Sequence, residues 1–94
     1  MNRAILKISK EMWKEIENGN KNSDIRKLNK DYIQEGFIIK FIDMKTGYNL
    51  GERKVSRKKY WLPRSVTTII KHPATVEFVK ANYMNELRLI LFEF

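Results

Sequence analysis

The chain contains no cysteine, one histidine, two prolines and four glycines. Without cysteine there are no disulfides and no thiolate metal sites, which fits a reducing compartment. A lone histidine without thiols does not make a zinc site of the usual composition. The carboxylates are scattered, and no close acidic group argues for magnesium. Glycine-rich phosphate loops, serine-nucleophile motifs and paired acids for sugar hydrolysis are missing. No cofactor is therefore expected.

Long apolar segments are missing too. No apolar run exceeds five residues, too few to span a bilayer as a helix. The start, Met1 to Lys7, meets a lysine before an apolar leader core can form. The expectation is a cytoplasmic protein with no membrane partner.

What is present is a basic, globular composition. Of 94 residues, 43% are hydrophobic and 32% charged, which suits one folded domain over residues 1–94. Nineteen basic residues face eleven acidic ones, a net charge of +8. Residues 1–51 carry 10 basic and 7 acidic groups, residues 52–94 carry 9 and 4. Such a surplus attracts phosphate backbones. It also stands at the top of the range of roughly 2–8 that serves solubility alone in small domains.

Short elements follow along the chain. Ala4–Ile8 is β-branched and apolar and reads as a first strand. Ser9 stands at an N-cap position, and Met12, Trp13 and Ile16 form one helical stripe over residues 10–18, closed by Gly19. Asp24–Arg26 reads as a short strand, Leu28–Glu35 as a polar loop, and Phe37–Asp43 as a strand buried on both faces at its start. Lys45–Gly47 and Asn49–Gly51 carry turn chemistry. Arg53–Leu62 reads as one strand pairing back on residues 37–44 in a long hairpin. Ser65 can cap a short helical turn that His72-Pro73 breaks. Thr75–Tyr83 fits helix or strand, and Leu87–Phe94 reads as a final strand buried on both sides at its middle. The order implies an α+β fold: a small, partly closed sheet with helices at its openings.

Two groups of side chains stand out. Lys21 follows the first helix, and Asp24 and Arg26 have strand-period spacing, so they share a face. A carboxylate beside a guanidinium fixes it for bidentate contact with a phosphate or base edge. Lys21 adds a second cation, or an amine activated by desolvation. The same spacing also suits an Asp24–Arg26 pair that merely staples helix to sheet, with Lys21 in water. The second group is the run Arg53, Lys54, Arg57, Lys58, Lys59 and Arg64, with Tyr60 and Trp61 inside it. A basic strand with aromatics can track a backbone and stack a base. It can equally be a solvated hairpin whose lysines block edge pairing. His72 reads as a turn residue.

The segment Leu6-Lys7-Ile8, helix, Gly19-Asn20-Lys21-Asn22-Ser23-Asp24-Ile25-Arg26-Lys27 resembles the opening of ASCH domains of the PUA-like superfamily, in a small bacterial and phage-type branch. Asp31-Tyr32 and Gly36 resemble the segment before that group's next strand. Gly51 with Val55–Lys58 resembles its later strand entry, and Leu89–Phe92 stands where its closing strand stands. Asn22 replaces the group's threonine and Asp24 its glutamate, or the threonine of enzymatic relatives. Phe37 replaces an aspartate, Ala4 a histidine, and one residue is inserted before Gly36. The resemblance implies an open mixed β-barrel with one or two helices at its mouths. It implies binding of RNA, a nucleotide or a modified nucleobase beside the Gly19–Lys27 loop, through Lys21, Asp24, Arg26 and Lys27. Some relatives are amidohydrolases on acylated cytidines that use a lysine, a threonine and a glutamate. Lys21 and Asp24 would then be catalytic, with Glu77 the candidate for the glutamate. A third reading is a protein-interaction module, such as a small phage-type inhibitor of nucleic-acid machinery.

Overall fold

A computed structural model describes residues 2–94. Six strands form two three-stranded sheets, accompanied by three α-helices and one 3-10 turn. Sheet A holds β1 (Arg3–Ile8), β3 (Ile38–Asp43) and β4 (Asn49–Lys54) in the order β1-β3-β4. Sheet B holds β2 (Ser23–Lys27), β5 (Arg57–Trp61) and β6 (Leu89–Glu93) in the order β2-β6-β5. β1 runs parallel to β3; the other pairings are antiparallel. The two ladders do not join into a closed barrel.

Alternation explains sheet A. Ala4, Leu6 and Ile8 of β1 turn inward while Arg3, Ile5 and Lys7 face out. β3 likewise buries Ile39, Phe41 and Asp43 and leaves Ile38, Lys40 and Ile42 half-buried, so it is buried on one face rather than two. β6 is the strand buried on both faces. Ile90 and Phe92 join Leu6, Ile39 and Phe41 in the core between the sheets. Leu89 and Leu91 face the other way, onto Ile25, Val66 and Val79. That second cluster is covered by α2 (Pro63–Ile69) and α3 (Pro73–Asn82).

α1 (Lys10–Glu17) is punctuated as its sequence implies. Ser9 accepts from the Met12 N–H at 3.2 Å, and Gly19 adopts φ +79 beyond the C-cap Asn18. Trp13 and Ile16 are its buried residues. Trp13 lies against Phe41 with ring centroids 5.4 Å apart.

Three sequence expectations change here, and one left open is resolved. Asn49–Gly51 is not a turn but the start of β4; the turn is Lys45–Gly47, where Asp43 accepts from the Lys45 N–H at 2.9 Å. Arg53–Leu62 is not one strand. Val55 closes sheet A, bonding Phe37 and Gly36 through its N–H and C=O, and Ser56 then donates to Glu93 O in sheet B at 2.7 Å. The chain crosses between sheets at that peptide. Ser65 does not cap α2: Leu62 is the N-cap and Pro63 the first helical residue. Thr75–Tyr83 resolves as helix, with His72 as N-cap. The loop after β2 hides one core residue, Ile33, which is fully buried.

Candidate ligand-binding site

The turn after α1 aims Lys21 inward. Its N–H donates to Glu15 O at 3.0 Å, continuing the helix end past Gly19, and its side chain is only 6% exposed. β2 follows as an edge strand of sheet B. Asp24 pairs with Phe92 and Arg26 with Ile90, so both turn to the face that carries the inter-sheet core. Asp24 is 4% exposed. Its Oδ2 accepts from Arg26 Nε at 2.5 Å, and its Oδ1 lies 3.9 Å from Lys21 Nζ.

These three side chains line one cavity of about 140 Å³. α3 supplies the opposite wall with Thr75, Phe78, Val79 and Tyr83, one helix face at i, i+3, i+4 and i+8. Phe78 and Tyr83 meet edge to face, with centroids 5.2 Å apart. Met12 reaches the cavity from α1, its Sδ 3.8 Å from Lys21 Nζ.

The electrostatics follow from burial. Desolvation pulls the Lys21 ammonium below its ordinary 10.5; Asp24 opposes that and Arg26 adds to it. Burial pushes the Tyr83 phenol above 10.0, with Arg26 opposing and Asp24 and Glu86 adding. The cavity thus brings together an amine, a guanidinium, a carboxylate and a phenol, with Lys7, Ser9 and Thr75 as further polar residues in a wall otherwise made of Ile8, Met12, Ile25, Met44, Phe78 and Val79.

A second groove of about 440 Å³, lined by polar and apolar residues alike, shares Lys21 and Thr75 with the cavity. Its walls are the 20–23 loop and the α2–α3 junction. His72 holds that junction. Its Nδ1 accepts from Thr75 N–H at 3.3 Å and is 2.9 Å from Thr75 Oγ1, so its Nε2 carries the hydrogen that faces Glu15 Oε1 at 3.3 Å. The histidine is a helix cap rather than an ordinary turn residue.

The predicted basic group does not form one surface. Arg53 and Lys54 end in sheet A, and Arg53 lies over the Trp13 ring at 5.0 Å. Arg57, Lys58 and Lys59 belong to sheet B. Lys58 is turned inward: its Nζ reaches Asp31 O at 2.7 Å and Asp31 Oδ1 at 2.8 Å. Burial pulls its pKa down, but hydrogen bonds to Asp31 and Tyr60 outweigh that and raise it. Tyr60 also donates to Asp31. Lys59 pairs with Glu93 at 3.0 Å. Arg57 and Arg64 are exposed, as is Lys27 at the end of β2. None of these cations lines the cavity. Glu77 is exposed on α3 and lies outside it as well.

Sequence reasoning therefore found the three polar residues on the β2 side and missed Thr75, Phe78 and Tyr83 on α3. Among the described residues, no group of three His, Asp or Glu side chains could hold a metal ion. Among the same residues, no helix is long and apolar enough to cross a membrane.

No protein-family model matches the chain, and comparison with curated proteins also gives no match. A solved structure does match: the crystal structure of hypothetical protein PH0355, with a TM-score of 0.69. The alignment covers 99% of this chain and 96% of that one, at 16% sequence identity. The two proteins share a small α+β fold across their whole length.

Proposed function

We propose that this protein is an ASCH-type, PUA-like domain that binds RNA, a nucleotide or a modified nucleobase by taking one ring into the cavity beside the 19–27 loop. One observation carries the reading: Lys21, Asp24 and Arg26 converge on a single cavity instead of facing separate directions. A base edge mixes donors and acceptors, and the trio offers both. The volume of about 140 Å³ falls below the roughly 300–1,000 Å³ of pockets for drug-sized ligands, so it suits a ring rather than a whole nucleotide. Phe78 and Tyr83 provide aromatic surface at the same place. Stacking on such surface contributes about 1–3 kcal/mol per base. The open-barrel form belongs to this proposal: Ile90 and Phe92 of sheet B share one core with Ile39 and Phe41 of sheet A.

Calorimetric titration with ribonucleosides, N4-acetylcytidine and single-stranded RNA tests the reading. Arg26→Ala should weaken binding about tenfold or more, the scale of a lost charge-assisted hydrogen bond, while folding survives. RNA affinity should fall as salt rises. Binding that ignores Arg26→Ala would count against the site.

Amide hydrolysis on an acylated cytidine is the second reading. Its support is the depressed pKa of the buried Lys21 amine, which enlarges the neutral, nucleophilic fraction. Asp24 lacks the hydroxyl of the enzymatic relatives, and Glu77 stands outside the cavity. Turnover of N4-acetylcytidine that vanishes in Lys21→Ala would establish it; no turnover by the intact protein would dismiss it.

A further inference from the structure

We infer that the groove adjoining the cavity at Lys21 and Thr75 is a phosphate subsite, so that the ligand is a ring carrying a sugar phosphate rather than a free base. This rests on the ring-binding reading of the adjoining cavity. The two spaces adjoin at Lys21 and Thr75, which line both, so the groove is where the substituent of a ring seated against the trio would be received. At about 440 Å³ the groove has room for a sugar and a phosphate together.

Its chemistry suits an anion. Asn20 and Asn22 bring amide donors, Ser23 a hydroxyl, and Lys71 an ammonium that forms no ion pair among the described residues. Lys21 also lines the groove, with its Nζ turned to Asp24 Oδ1 at 3.9 Å and Met12 Sδ at 3.8 Å on the cavity side. No carboxylate lines the groove. Glu15 borders the groove through two of its lining residues: Asn20 donates to its Oε2 at 3.0 Å and His72 faces its Oε1 at 3.3 Å. Both hydrogen bonds keep its carboxyl below the ordinary value, as a charged acceptor pointed at those donors. A phosphate presents several charged acceptor oxygens, and amide, hydroxyl and ammonium donors recognise it through charge-assisted hydrogen bonds. Lys71 touches only the groove, whereas Lys21 touches both spaces, which makes the two separable by mutation.

The probes are inorganic phosphate, the four ribonucleosides, their 5′- and 3′-monophosphates, and a short single-stranded RNA, each followed by amide NMR shifts and affinity. Phosphate alone should shift residues 20–23 and Lys71. A monophosphate should bind about tenfold tighter than its nucleoside, and Lys71→Ala should remove most of that gain while leaving nucleoside affinity unchanged. Tighter binding of RNA than of any monophosphate identifies a polymer as the source of the phosphate; parity identifies a free nucleotide, and both support the subsite. Nucleosides that bind without any gain from phosphate overturn it, as does a Lys71→Ala variant with full monophosphate affinity. Shifts with phosphate but none with nucleosides sink the ring-binding reading and leave the groove standing.

Discussion

Lys21 Nζ stands 3.9 Å from Asp24 Oδ1, with both side chains 6% exposed. Asp24 is shared, since Arg26 Nε takes its other oxygen at 2.5 Å. Two cations thus depend on one buried carboxylate. Such an arrangement is poor at stabilising a fold, because desolvation of the extra cation is not fully offset. It is well suited to receiving a further acceptor from a ligand.

The first prediction removes the shared acid. Asp24→Asn leaves two neighbouring cations without their counter-charge. Unfolding by urea at neutral pH should show a loss of about 3 kcal/mol, the scale for breaking a buried pair. Stability equal to the parent would mean the carboxylate does not hold the two cations.

The second concerns pH and Lys21. Its folded pKa is depressed below the ordinary 10.5, so between the depressed value and 10.5 the unfolded chain binds more protons. Stability contributed by this group therefore rises with pH through that window, and the cost of the buried charge is in full force below it. Lys21→Met should leave stability at pH 7 unchanged or raise it by about 1 kcal/mol. It should also flatten the alkaline rise. Urea titrations across pH 7–10 measure both; a steeper alkaline rise in Lys21→Met would contradict the assignment.

The third tests the correction at Lys58. Its side chain is 6% exposed and tied to Asp31, whereas Arg57 beside it faces solvent. Lys58→Ala should cost about 1 kcal/mol, and Arg57→Ala less than about 0.5 kcal/mol. Thermal unfolding of the pair decides it; equal losses would return Lys58 to the surface.

A fourth prediction concerns the contact of β4 with α1. A Cβ built on Gly51 would collide with Trp13 Cζ2, and that ring is buried against Phe41. Gly51→Ala should cost about 1–3 kcal/mol through overpacking. A fully stable variant would show that the ring can move aside.

Half of the site was legible in the sequence because half of it is local. Gly19 ends α1, Lys21 follows within two residues, and period-two spacing puts Asp24 and Arg26 on one face. Thr75 and Tyr83 join them only because α3 docks beside β2, a tertiary event some fifty residues along the chain. Local pattern also marked β1, α1 and the doubly buried β6. It failed across Arg53–Leu62 because both halves are basic and strand-like. The crossing at Val55–Ser56 is set by hydrogen bonds to Phe37 and Glu93, which are far away in sequence. Lys58 looked like a phosphate contact for the same reason: Asp31, its partner, lies 27 positions earlier.

The most direct trial of the ring-binding account is amide NMR of the 15N-labelled protein titrated with ribonucleosides and N4-acetylcytidine. The account predicts shifts at Lys21, Ile25, Arg26, Thr75 and Tyr83, with Arg57 and Arg64 unmoved. Shifts confined to Arg57 and Arg64, or none at millimolar ligand, would contradict it.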